Sequence, residues 1–450
     1  MSALSATAIV LWQLLAVASA AGETPGEAPA APPLLPHLRV EQYELESGLT
    51  VVLAETPSPL AAVGMYYRAG ATRDPPGRGG LAHIAEHVGV DEASRTIDRW
   101  TRQRVLTDAG AVVTRGRTWQ DYTGYEMLVP APNVAVQLWL EADRLRNSSD
   151  IDPGPLDVVR HIVRQELLQG EDQPGGRAYG ELMAALFPAG HPYHRQVIGT
   201  EAEVAAATRA DVRAFFATWY RSTGAVLVVV GAIDRAAVRA AVARYFRELP
   251  RAAVPAPLVA PPLVRDERVP VRVASPEPLR WTRAAWSAPA RLDRDEPAAA
   301  LLAEVLSARL ATGPATLGVD YVRAPLGGML VVASTALYAD PRALVERVDR
   351  ELTTLAATPP TPDELERAER RRETLWLEDL DAAEGPFELA LALRDYAVLG
   401  GGAAKLPWDH LRYRDVRGAD VARIAGDLAR RSRRVVLAPA GAAVAVEDRP

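Results

Sequence analysis

Hydrophobic positions recur along this chain with two different periods, and the periods divide it into helices and strands. In Gly79-Gly80-Leu81-Ala82-His83-Ile84-Ala85-Glu86-His87-Val88, the apolar side chains Leu81, Ile84, Ala85 and Val88 share one face of a helix. His83, Glu86 and His87 fall on the other face. The same helical spacing marks Asn133 to Asn147, through Val134, Leu138, Leu140, Ala142 and Leu145, and Pro155 to Leu168, through Leu156, Val159, Val163 and Leu167. Further helices are expected over Asp91–Ala109, ending at Gly110, and over Gly175–Phe187. Alternation takes over in Val40–Leu53, which predicts a hairpin turning at Glu46-Ser47-Gly48. Strands are also expected at Ala61–Arg68, Ala111–Thr114, Tyr122–Val129 and Ala225–Gly231.

The pattern then breaks and restarts. Five prolines between Tyr245 and Val264 read as an extended connection between domains. Beyond it, Pro278 to Ala290 is similar to Ser58 to Ala71, and Leu301-Leu302-Ala303-Glu304-Val305-Leu306 is similar to His83 to Val88, with both histidine positions now apolar. The expected fold is α+β: two homologous α/β-sandwich halves, each a mostly antiparallel sheet with helices packed on it, together forming a clamshell. The expected boundaries are 38–250 for the first half, 251–264 for the connection and 265–450 for the second half. Residues 1–21 read as a signal peptide, because the apolar run Leu4 to Ala21 ends in small residues at Ala18 and Ala20, and 22–37 as a disordered linker. Export to a periplasm or the cell exterior follows, with no membrane-inserted segment after cleavage. Retention of the apolar run as an anchor is the other reading, since no Lys or Arg precedes it.

Composition narrows the chemistry. With 450 residues and 48% of them hydrophobic, the chain has enough apolar surface for more than one core. A net charge of −6 argues against nucleic-acid binding. The absence of cysteine excludes disulfides and thiolate ligands, so a metal must be held by His, Asp or Glu. Two of only seven histidines stand one turn apart at His83 and His87, where their ring nitrogens can grip one divalent cation. Glu86 between them reaches a water beside the metal rather than the metal itself, the H-x-x-E-H arrangement. A merely hydrated helix face fits these five residues as well. A catalytic zinc takes a third protein ligand, and Glu166, beside the apolar stripe of its helix, is a carboxylate that needs a cation or an arginine as partner. Glu141 and Asp143 are the other carboxylates in reach of the argument. His161, His191 and His194 read as structural or surface residues.

With these residues in place the sequence resembles the pitrilysin or insulinase (M16) family of zinc metallopeptidases, most of all the branch containing the mitochondrial processing peptidases and their bacterial relatives. The resemblance rests on H-x-x-E-H, on Glu166 at the family's distance from it, and on Asp121-Tyr122-Thr123-Gly124-Tyr125. It continues in His191-Pro192-Tyr193 to Ile198-Gly199, in Thr208 to Tyr220 and in Ala225 to Gly231. It implies Zn2+ as cofactor, His83, His87 and Glu166 as ligands, Glu86 as general base, and a metal site in the first half only. It also exposes departures. Val159 stands where the family has a supporting glutamate, and Arg115-Gly116 where it has Asn-Ala, the Asn helping to hold substrate. Tyr321 matches a substrate-gripping tyrosine, but Pro314 stands at the arginine that accompanies it. The implied protein is a zinc-dependent endopeptidase subunit for extended or unfolded peptides, which would add as a strand near Val112–Thr123. A second M16-like subunit, in a heterodimer or homodimer, would supply the missing arginine. A non-catalytic, peptide-binding scaffold of the same fold is the alternative.

Overall fold

The computed structural model describes residues 38–439 except 91–95, 173–175, 254–255, 262–267, 274–280, 312–316, 336–340, 382–384, 401 and 432–433. The expected signal peptide (1–21), linker (22–37) and Pro314 lie outside the described residues, as do parts of the 251–264 connection.

The first sheet opens with the expected hairpin, β1 (Val40–Glu44) against β2 (Thr50–Glu55). Then come β3 (Leu60–Tyr67), helix α1 (Leu81–Val90), α2 (Arg99–Asp108), β4 (Val113–Thr118) and β5 (Thr123–Pro130). Helices α3 (Val134–Asn147), α4 (Leu156–Asp172), α5 (Gly176–Leu186) and α6 (Arg209–Trp219) lead to β6 (Ala225–Gly231) and α7 (Arg235–Tyr245). In the second half, β7 (Arg268–Val273), β8 (Trp281–Ala288), α8 (Glu296–Leu310), β9 (Leu317–Val322) and β10 (Gly328–Thr335) precede helices α9 (Pro341–Ala357), α10 (Pro362–Asp381), α11 (Pro386–Leu399) and α12 (Gly418–Arg431). Strand β11 (Arg434–Pro439) closes the sheet.

Two local expectations are corrected. Helix α2 does not run from Asp91: residues 96–98 are not helical, and the Asp98 carboxylate caps Arg99–Asp108 by accepting the N–H groups of Trp100 and Thr101. Strand β4 begins at Val113 and runs on to Thr118, because Arg115, Gly116 and Arg117 all pair with β5 despite having no apolar alternation.

The strand orders are β1-β2-β6-β3-β5-β4 and β7-β11-β8-β10-β9. Without β1 they match position for position, and each contains one parallel pair, β2 with β6 and β7 with β11. The repeat suspected in the sequence is therefore a repeat of topology, and the fold is the pair of α/β sandwiches of a clamshell.

Each sheet has one face covered by its own helices and the other by a helix of the opposite half. Val51, Met65, Tyr125 and Leu227 of the first sheet pack with Ile84 of α1, Leu138 of α3 and Phe216 of α6. The reverse face, carrying Val52, Tyr66, Leu128 and Val226, is covered by Leu393 and Tyr396 of α11. Reciprocally, α5 sends Leu182 and Leu186 onto Ala285, Met329 and Val435 of the second sheet, whose other face packs on α8, α9 and α12. Each buried side chain of this size contributes about 1.5–3 kcal/mol, so the exchange ties the halves together. Arg68, at the end of β3, reinforces it by donating Nε to Val398 O (2.6 Å) and Nη2 to Ala397 O (2.7 Å) at the C-terminus of α11. Among the described residues no helix is long and apolar enough to cross a membrane.

Candidate metal centre

Helix α1 is held at its start by a carboxylate from outside it. Asp74 accepts Gly80 N through Oδ2 and Ala82 N through Oδ1, both at 2.8 Å, which satisfies donors the first turn leaves open. Burial nevertheless pushes the Asp74 carboxyl up to about 7. Gly80 has φ +82°, and a Cβ there would stand 2.5 Å from Ile198 O, so the Ile198-Gly199 stretch and the Gly79-Gly80 stretch close on each other backbone to backbone. The helix then buries Leu81, Ile84, Ala85 and Val88 and turns His83 and His87 toward α4.

Glu166 of α4 meets both imidazoles. Its Oε2 lies 3.3 Å from His87 Nε2 and 3.6 Å from His83 Nε2. The three donor atoms all lie within 4.8 Å of one another, and the two rings meet edge to face with centroids 4.8 Å apart. Around a tetrahedral zinc with bonds of roughly 2.0–2.1 Å, neighbouring ligand atoms stand roughly 3.3–3.4 Å apart. The two measured edges thus fit a zinc ion held by His83, His87 and Glu166. One detail differs from expectation: Glu166 is not turned into a core, for its side chain keeps 42% exposure.

Electrostatics suit the same arrangement. Burial, followed by the neighbouring His87, pushes His83 down to about 4, so its imidazole is neutral with a lone pair on offer. Its Nδ1 is buried without a hydrogen-bond partner among the described residues, so a ligand on Nε2 is what would fix the ring's tautomer. The hydrogen bond with His87 holds Glu166 below the usual carboxylate range. Glu86 is buried, and that burial, reinforced by Glu166, raises it to about 7. Its Oε2 lies 3.7 Å from His83 Nε2 and accepts from Thr118 Oγ1 at 3.4 Å. Strand β4 leaves space for this carboxylate because residue 116 is glycine: a Cβ there would stand 2.0 Å from Glu86 Oε1. Sequence reasoning registered Gly116 only as a departure. An isolated glycine inside a strand, a sign of close approach by another group, was the available signal.

The remaining candidates are engaged elsewhere. Glu141 is fully buried and accepts from Gln137 (2.8 Å) and Arg144 (2.7 Å), Asp143 accepts from Asn147 (3.0 Å) through Oδ1 only, and neither carboxylate joins the cluster of His83, His87 and Glu166. Val159 packs against the first core. His161 is exposed, while His191 and His194 bond backbone groups of their surroundings. Tyr321 donates its hydroxyl to Pro289 O at 2.6 Å. Arg115 donates Nε to Glu126 Oε2 at 2.9 Å and lies 4.2 Å over the Phe387 ring.

Glu126 belongs to a buried network absent from the sequence reading. Its Oε1 accepts from Tyr66 Oη and from Arg394 Nη1 of α11, each at 3.3 Å. Arg394 also donates to Asp395 at 2.8 Å, and Arg291 reaches the same carboxylate at 3.4 Å. The edge strand is thereby wired to the exchanged helix.

Comparison with known proteins agrees with this architecture. Residues 206–372 match the family described as the Peptidase M16 inactive domain, a stretch that begins beyond the whole His83, His87, Glu166 cluster. Over 272 residues the chain is 24% identical to the zinc protease PqqE of Helicobacter pylori, covering 59% of this chain and 60% of that protein. The chain spans about half the length of the curated relatives it matches. Among solved structures, a protease from Helicobacter pylori superposes with a TM-score of 0.76 at 20% identity, over 89% of this chain and 100% of that one. The periplasmic protease PqqL from Escherichia coli gives 0.73 at 16% identity, over 89% of this chain but 47% of that one. Taken with the matching sheets, these relations show that the chain is similar in sequence and in fold to the M16 peptidases.

Proposed function

We propose that this protein is a zinc-dependent endopeptidase subunit acting on extended or unfolded peptides, with His83, His87 and Glu166 as metal ligands and Glu86 as general base. The observation that carries this reading is the meeting of two imidazole nitrogens and one carboxylate oxygen at 3.3 and 3.6 Å, with a second carboxylate beside them. A zinc ion in that position would polarise the scissile carbonyl and ease deprotonation of a water. Glu86 takes the proton of the attacking water on its carboxylate and returns it to the leaving amine. Thr118 steadies that carboxylate, and the surrounding burial keeps bulk water from it.

The peptide is delivered by β4, the last strand of its sheet. Trp119 N donates to Tyr122 O at 2.9 Å, continuing the register in which Thr118 faces Thr123. Odd-numbered residues therefore bond inward to β5, and Thr114, Gly116 and Thr118 turn their backbone groups outward. A peptide strand pairing there passes directly beside Glu86. In this reading the engaged hydroxyl of Tyr321, together with Pro314, is why a second M16-like subunit completes the grip on substrate. The amino-terminal apolar run directs the chain to the periplasm or beyond.

The test is hydrolysis of an unstructured peptide by the purified protein, alone and mixed with a second subunit carrying the Arg and Tyr pair. Activity in either condition, abolished by Glu86→Gln, is the expected result. The partnered state of Arg115 and Tyr321 favours a second reading, a peptide-binding scaffold without turnover. Failure of both conditions to give Glu86-dependent cleavage would establish it instead.

A further inference from the structure

The edge strand that flanks the metal cluster carries more positive charge than its partners neutralise. Side chains on β4 alternate, so Thr114, Gly116 and Thr118 face Glu86 and α1, while Val113, Arg115 and Arg117 face the side covered by α11. Arg115 and Arg117 both approach Glu126 Oε2, at 2.9 and 3.9 Å. The other oxygen of Glu126 is taken by Tyr66 and Arg394, and the remaining carboxylate of the network, Asp395, is shared between Arg394 and Arg291. Four guanidinium groups thus converge on two carboxylates, a surplus of two positive charges. Glu126 keeps only 1% exposure, whereas the side chains of Arg115 and Arg117 keep 38% and 24%. The surplus therefore faces solvent along the unpaired edge rather than the core.

A strand added to β4 would set its alternate side chains on this same face, directly across from Arg115 and Arg117. Opposite charges facing each other across paired strands attract, and like charges repel. We propose that the site selects extended peptides bearing acidic side chains at two alternate positions, i and i+2, on the face turned away from the metal cluster. Arg115 and Arg117 are the residues that set this preference. The inference rests on the strand-addition reading above and names the substrate class that reading leaves open. At Arg115 and Arg117 the edge would recognise charge in addition to backbone.

The test is binding of three labelled, unstructured peptides of one length, differing only in whether two alternate residues are Glu, Gln or Lys. Fluorescence anisotropy is read on the zinc-loaded Glu86→Gln protein, which blocks turnover, at low and at high salt. The Glu peptide is expected to bind about tenfold more tightly than the Gln peptide, the size of two favourable cross-strand pairs, and the Lys peptide more weakly than either. The difference should shrink at high salt and disappear in the Arg115→Gln, Arg117→Gln double variant. If the double variant fails to fold by circular dichroism, Arg117→Gln alone leaves Glu126 with Arg115 and Arg394 and should still reduce the preference severalfold. Equal affinity for the three peptides, or a preference that survives loss of both arginines, overturns the proposal while leaving strand addition intact. No binding of any peptide, with the second subunit absent and with it added, overturns the proposal and strand addition together.

Discussion

The two halves share one scaffold and put opposite chemistry on it. In the first, the residue of the edge strand paired with Tyr125 is Gly116, and Glu86 fills the space beside it. In the second, the equivalent edge strand carries Tyr321, which pairs with Leu330 and whose ring packs against the α8 core. His83 and His87 are replaced in the repeat by Leu301 and Val305 of α8, both buried. Glu86 keeps its counterpart in Glu304. Where α4 reaches α1 with the Glu166 carboxylate, α10 reaches α8 with Arg371, whose Nε donates to Glu304 Oε2 at 3.0 Å. A glutamate largely withdrawn from solvent needs positive charge in either half. The second half supplies a guanidinium; the first gathers two imidazoles and a carboxylate, and in the proposed function a cation supplies the positive charge there. An arginine and a metal are alternative solutions to the same burial problem, and only one of them leaves room for chemistry.

The comparison is broken most decisively by activity. Glu86→Gln should lower peptide kcat/KM by at least about a hundredfold, the usual lower bound for removing a general base, whereas Glu304→Gln should leave it within about twofold. Equal losses would mean that the second half contributes to the reaction. The next largest effect falls on what joins the halves. Arg394→Met strips Glu126 and Asp395 of a shared buried partner and should cost about 3–5 kcal/mol, read as a lower urea midpoint.

A pH dependence probes the second half by itself. The hydrogen bond from Arg309, aided by Thr361 at the start of α10, holds Glu364 down to about 2. With its folded value below its unfolded one, the group stabilises fully above about pH 5 and loses that contribution as pH falls toward 2. Glu364→Gln should therefore cost about 1–2 kcal/mol at pH 7, less than full linkage would give because the pair sits near solvent, and almost nothing near pH 2. Smallest is Arg371→Gln. Its side chain is 64% exposed, so loss of the Glu304 pair should cost at most about 1 kcal/mol and leave zinc content unchanged. A loss of zinc in that variant would contradict the separation of roles between the halves.

Much of this was legible in the sequence because it was local. The two faces of α1, the hairpin at residues 46–48 and the α4 stripe follow from spacing alone. The topological repeat showed through as faint similarity between Ser58–Ala71 and Pro278–Ala290, since equivalent strands demand equivalent alternation. What stayed hidden depends on chain segments far apart in sequence. The apolar faces of α5 and α11 read like those of any packed helix, and nothing in them says that each covers the other half's sheet. Asp74 as the cap of α1 and Glu126 as the hub of four side chains acquire their partners only on folding. Glu166 was found, but its partial exposure was not foreseen, because a stripe locates a residue relative to its helix and not relative to the opening beside it.

The central claim is tested most directly by zinc content. Measured by elemental analysis on purified protein and on a folded Glu166→Ala variant, the account predicts close to one zinc per wild-type chain and a substoichiometric amount in the variant after identical dialysis. A wild-type protein free of zinc after zinc loading, or a variant that retains it in full, would contradict the account.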